Sequence, residues 1–144
     1  MGLAFDRHLA DGSYESKESA MPIILGVALG GAIGASSRYA VDRYIEARSD
    51  AIFPWATFAV NVSGCLFIGL IAAALVDRHH LPAWVRIGLV VGVVGGYTTF
   101  STFAQESLDL VDARHFAIAL AYTTASIVAG MGAVLLGSWL GRSV

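Results

Sequence analysis

Four long stretches without a charged side chain set the limits on what this chain can fold into. They cover residues 21–37, 51–76, 87–105 and 116–140. About 20 helical residues at ~1.5 Å each cross a hydrocarbon core ~30 Å thick, so the second and fourth runs are comfortable spans and the third is just sufficient. The first is short. It is predicted to continue through Arg38 to about Tyr44, with the arginine near its far end, where a long side chain can reach water. The composition agrees: 56% of the residues are hydrophobic, 14% are charged and the mean hydropathy is +0.68, which excludes an ordinary soluble domain. The chain reads as an all-α membrane protein with four transmembrane helices, multi-pass in the cell membrane.

The remaining segments are short. Residues 1–20 are polar and lack the apolar core of a cleavable signal peptide, so they read as an N-terminal tail ahead of one four-helix membrane domain over residues 21–144. Charged linkers at 46–50, 77–81 and 109–114 make consecutive helices antiparallel, and Pro82 suits the first turn of the third helix. Both termini then lie on one side. A net charge of −2 with no basic stripe excludes a nucleic-acid surface. Cys65 is the single cysteine, so neither an intrachain disulfide nor a cysteine metal site can form. His8, His79, His80 and His115 fall outside the uncharged runs and read as loop residues. No Gly-x-x-x-x-Gly-Lys-Ser/Thr loop and no catalytic constellation is present, so the chain does not read as an enzyme.

Orientation is undecided by charge. Arg7, Lys17, Arg78, Arg86 and Arg142 fall on the terminal face and Arg38, Arg43, Arg48 and Arg114 on the other, so the positive-inside rule barely favours either side. A chain so balanced can insert both ways and pair with its inverted twin. Gly26, Gly30 and Gly34 recur every four residues on the first helix, as do Gly88, Gly92 and Gly96 on the third. These are two smooth faces for close backbone approach, and at least one is expected to meet another subunit.

The third run contains a weak place. Gly95-Gly96-Tyr97-Thr98-Thr99-Phe100-Ser101-Thr102-Phe103 puts two adjacent glycines and four Ser and Thr hydroxyls where a spanning helix normally carries leucine and valine. Glycine costs about 1 kcal/mol against alanine in a helix, and Ser and Thr offer the backbone competing hydrogen bonds, so the helix is expected to break here. Non-helical backbone at membrane depth must line a cavity or a site, because each freed group is otherwise unsatisfied. Other polar groups also sit in the spans: Thr57 and Asn61 one turn apart on the second, Tyr122 and Ser126 one turn apart on the fourth. Asn61 bonds to a neighbouring helix or serves a site; the hydroxyls line a wet path or bond to their own carbonyls. Phe100 and Phe103, three apart, are packing or else turn electropositive ring edges to an anion.

The nine-residue stretch resembles the third-helix signature of the Fluc, or CrcB, fluoride channels. Gly30-Gly31-Ala32-Ile33-Gly34-Ala35 with Arg38-Tyr39, Thr57 through Val60-Asn61, and Tyr122 with Ser126 agree in order and position, so the resemblance covers roughly residues 21–141. It implies an antiparallel, dual-topology homodimer with two ion pathways, passing fluoride out of the cell down its own gradient. It implies a third helix broken near the bilayer midplane, whose backbone carbonyls at Gly95 and Thr98 hold a structural sodium ion (Na+) with those of the partner. It implies a fluoride pathway along Asn61, Phe100, Phe103, Tyr122 and Ser126, with Thr57 extending it, and Arg38 at the vestibule attracting the anion.

Two positions depart from the pattern. Gly130 stands at the third step of the fourth-helix stripe, where the family can carry another hydroxyl. Glu106 follows the signature by three residues and either lines the end of the path or, the simpler reading, is a carboxylate at the membrane surface. Two other classes remain: a proton-coupled small multidrug-type exporter, which needs a deep carboxylate that the uncharged runs lack, and a non-transporting structural membrane subunit, which leaves the aligned polar groups without a purpose.

Overall fold

In the computed structural model, residues 20–75 and 81–143 are described. The expected tail, apart from Ala20, and most of the 77–81 linker, with His8, His79 and His80, lie outside the described residues. Helix α1 runs Ala20–Glu46 and α2 Trp55–Leu75. The third span is composite: α3 (Ala83–Ile87), a π-helical segment (Gly88–Val94), α4 (Gly95–Tyr97), and α5 (Phe100–Asp112). Helix α6 (Phe116–Arg142) closes the chain. Four stretches are long and apolar enough to cross a membrane, the third being Ala83–Asp112.

Two close-packed pairs build the fold. α1 lies along the α3, π and α4 segments, and α2 lies along α6. The glycines of the first pair face each other within one chain: Gly88 sits against the Gly26 backbone, Gly92 against Gly30, and Gly96 against Gly31. A Cβ at Gly34 would fall on the Val93 carbonyl oxygen. The expectation that a glycine face meets another subunit is therefore corrected: both repeats are consumed in packing α1 on the third span. The second pair uses the same device, with Gly69 under the Val134 carbonyl and Gly137 and Gly141 under those of Leu66 and Leu70. Between helices in lipid there is no water-driven attraction, so backbone proximity supplies the packing contacts.

The wider π turns, which concentrate at functional sites, occupy the seven residues before α4. After α4 the backbone leaves helical geometry. Thr98 (φ −80°, ψ 160°) and Thr99 (φ −147°, ψ 117°) are both extended, and the Thr99 side chain caps α5 by accepting from the Thr102 N–H at 3.2 Å. The chain also changes neighbours here. Before the two threonines it packs on α1; after them, α5 packs on α6 and touches α2.

Candidate functional site

The extended pair Thr98-Thr99 disrupts the hydrogen-bond ladder, and side chains of other spans take up the freed groups. Asn61 of α2 donates from Nδ2 to the Thr99 carbonyl at 2.9 Å and accepts from the Thr99 N–H on Oδ1 at 2.8 Å. In an unbroken helix that N–H would close on the Gly95 carbonyl, so its capture by Asn61 releases Gly95 from its helical partner. Arg38 of α1 reaches the Thr98 carbonyl, donating from Nη1 at 3.1 Å. The expected vestibule arginine thus lies against the non-helical turn, two helical turns short of the end of α1.

A groove of about 450 Å³ opens beside this turn. Asn61, Gly95, Thr98, Phe100, Phe103 and Ser126 all line it, so most of the residues singled out from the sequence converge on one concavity. The Ser126 Oγ is buried without a hydrogen-bond partner. Phe100 is 79% exposed, and its ring stands 5.8 Å from that of Phe103, tilted by 44°. Where Gly130 leaves out a hydroxyl, the Cys65 thiol lies 3.3 Å from the place a Cβ would take, and Cys65 lines the same groove.

Thr57 and Tyr122 do not reach the groove. They meet around Glu106, one helical turn beyond Phe103 on α5: Thr57 Oγ1 donates to Glu106 Oε1 at 2.8 Å and Tyr122 OH donates to Oε2 at 2.7 Å. Tyr122 is fully buried and Thr57 is 3% exposed. The reading of Glu106 as a surface carboxylate is thereby corrected, since both of its oxygens are held by buried hydroxyls of two other spans. The sequence carried a signal for it: Glu106 stands three residues after Phe103, on the same face of α5, and its two partners belong to the polar stripes of the second and fourth spans. The Phe103 ring contacts the Tyr122 ring at 5.2 Å and joins the two clusters into one line. Beyond Glu106 a small cavity of about 100 Å³, lined also by Glu46 and Ser49, opens toward the α1–α2 loop.

The donor set at the turn suits a hard cation. Such an ion prefers oxygen ligands, and Gly95 and Thr98 both face the groove, the first carbonyl released by Asn61 and the second engaged by Arg38 on one of its two lone pairs. For an anion the site supplies donors instead: the second N–H of Asn61 Nδ2, the Ser126 hydroxyl and ring edges.

Comparison with known proteins places the chain's sequence among relatives of one family. Residues 25–138 match the family described as CrcB-like protein, Camphor Resistance (CrcB). A protein of Chloroflexus aurantiacus named fluoride-specific ion channel FluC is 43% identical over 119 residues, covering 83% of this chain and 94% of its own. FluC 1 of Nitrobacter hamburgensis, with the same description, is 45% identical over 114 residues (79% and 90%). The FluC of Pseudomonas fluorescens is 40% identical over 124 residues (86% and 97%).

Proposed function

The chain belongs to the CrcB family, and on that premise we propose that it is a fluoride-selective ion channel, exporting the ion passively down its electrochemical gradient and so lowering cytoplasmic fluoride. The observation that carries this reading is the groove in which Asn61, Ser126, Phe100 and Phe103 stand together beside non-helical backbone. It is a multi-pass protein of the cell membrane.

Fluoride is small and strongly hydrated, so a path for it must replace water with donors. Asn61 gives one amide hydrogen to Thr99 and keeps the other for the ion, and the unpartnered Ser126 hydroxyl is a second donor. The edges of Phe100 and Phe103 offer weak positive contacts between them. A run of moderate contacts lets an ion enter and also leave, which a single tight cationic site would prevent. The path continues past Phe103 to Tyr122 and Thr57, whose hydroxyls can turn from Glu106 to a passing anion. Arg38 biases the whole region toward anions.

Thr98 and Thr99 sit close to the middle of a 30-residue span, which supports a break near the bilayer midplane. Two copies in opposite orientations would meet there as an antiparallel homodimer, a dual topology favoured by the balanced arginines, and the exposed Phe100 and Gly95 are surfaces for that contact. The Gly95 and Thr98 carbonyls of both copies would then hold Na+, which supplies fixed positive charge at the centre.

Purified protein in liposomes loaded with fluoride or chloride tests the reading. Fluoride efflux that is rapid without a proton gradient, with negligible chloride efflux, is the expected result. Equal efflux of both anions overturns selectivity, and efflux that needs a proton gradient favours a coupled exporter. A C-terminal tag labelled from one side of the membrane only would overturn the inverted dimer.

A further inference from the structure

We infer that Arg38 tunes the cation site at the break: its guanidinium shares the Thr98 carbonyl with the sodium ion, and its charge weakens that ion's hold. The inference rests on the proposed role of Gly95 and Thr98. Its first support is the hydrogen bond from Arg38 Nη1 to the Thr98 oxygen, 3.1 Å long and joining positions 60 residues apart. Its second is rigidity. Gly34, one turn before Arg38, is seated against the backbones of Val93 and Tyr97, so α1 cannot slide and carry the arginine away.

The third support is charge. Among the described residues, the one ion pair is Arg43–Glu46 at 2.9 Å. Asp42 lies one turn from Arg38, yet no ion pair joins them, and the Asp42 Oδ1 is buried without a hydrogen-bond partner. Asp42 therefore acts on Arg38 through space only, and with no direct ion pair the guanidinium keeps positive charge toward the oxygen that the metal also needs. A carbonyl has two lone pairs and can serve both, but two cations on one oxygen lie a few ångströms apart in a half-buried site, where water screens them poorly. The hold on sodium is thereby weaker than the carbonyls alone would give, while Arg38 adds its own positive charge in favour of anions.

The test titrates sodium into full-length protein kept in N-methylglucamine chloride and follows both the heat of binding and the thermal unfolding midpoint. Arg38→Gln and Arg38→Met remove the charge in two ways, so a folding failure in one leaves the other to read, and Arg38→Lys keeps the charge. The neutral variants are expected to reach half-saturation at a sodium concentration at least tenfold lower than the parent, with Arg38→Lys within threefold of it. An unchanged midpoint in the neutral variants overturns the inference and leaves the sodium reading standing. A higher midpoint also overturns it, since Arg38 would then organise the carbonyl for the metal. No sodium response in any of the proteins overturns both the inference and the sodium reading, while fluoride efflux from the same preparations reports separately on the channel.

Discussion

Asn61 and Thr99 exchange two hydrogen bonds, amide to carbonyl at 2.9 Å and N–H to amide oxygen at 2.8 Å. The side-chain amide of α2 thus pairs with a main-chain peptide as one strand pairs with another. Asn61→Ala leaves both groups of Thr99 unpaired, at about 1–3 kcal/mol for each buried group. Because Thr99 is only half-buried, the expected stability loss lies at the low end of the sum, about 2–3 kcal/mol, measured by thermal unfolding in detergent, together with fluoride efflux reduced at least tenfold. Asn61→Asp keeps the acceptor, loses the donor and should restore part of the stability without the flux. Unaltered melting of Asn61→Ala would sink the pairing as a structural element.

The two phenylalanines should separate conduction from stability. Phe100 is 79% exposed in the single chain, so Phe100→Ile is expected to leave chain folding intact while abolishing fluoride efflux. Phe103→Ile loses the ring contact with Tyr122 as well, and about 0.5–1.5 kcal/mol beyond burial with it. Both variants should elute as assembled protein on size exclusion. Parental flux in either would remove that ring from the path.

Glu106 is expected to matter more than its position at the end of the uncharged run implies. Glu106→Ala deprives the buried Thr57 and Tyr122 hydroxyls of their acceptor, and hydrogen bonds to a charged group are worth about 1.5–3 kcal/mol each. Glu106→Gln retains one acceptor oxygen, and the hydroxyl facing its amide can turn to accept. The alanine variant should melt well below the glutamine variant in the same detergent. Equal melting would mean that the carboxylate does not organise the two hydroxyls.

Neighbouring glycines should behave in opposite ways. An added Cβ at Gly34 meets the Val93 carbonyl, whereas at Gly31 and Gly132 it meets nothing within 4 Å. Gly34→Ala is expected to cost about 1–3 kcal/mol, as over-packing does. Gly31→Ala and Gly132→Ala remove a poor helix former and should change stability by no more than about 1 kcal/mol, in the stabilising direction. Thermal unfolding of the three variants decides it; a tolerated Gly34→Ala would contradict the tight α1 contact.

The four spans were legible because lipid punishes charge so heavily that uncharged runs trace them directly. The third extends from 87–105 to Ala83–Asp112 because Arg86, Glu106 and Asp109 sit near its ends or among protein partners, which a rule based on charge alone cannot anticipate. Periodicity identifies which glycines share a face but not what that face meets; the two repeats meet each other. The matching pair on α6, Gly137 and Gly141, carries the same four-residue signal. Asn61, Ser126, Phe100 and Phe103 stand out in the sequence as polar or aromatic anomalies, and they share one groove. Arg38 and Glu106 read as water-facing in the sequence because side-chain reach across 60 or 49 positions is a property of the fold.

The third span is fastened to α1 by backbone contact before Thr98 and to α2 and α6 by Glu106 after Thr99. Its two halves consequently keep separate rotational phases. One residue inserted between Tyr97 and Phe100 would leave the upstream half in place and would present the downstream half to the groove about 100° out of phase, or else strain the Glu106 anchorage. The joint behaves as a splice between two independently indexed screws, and its length of two residues is as much a part of the specification as the residues themselves.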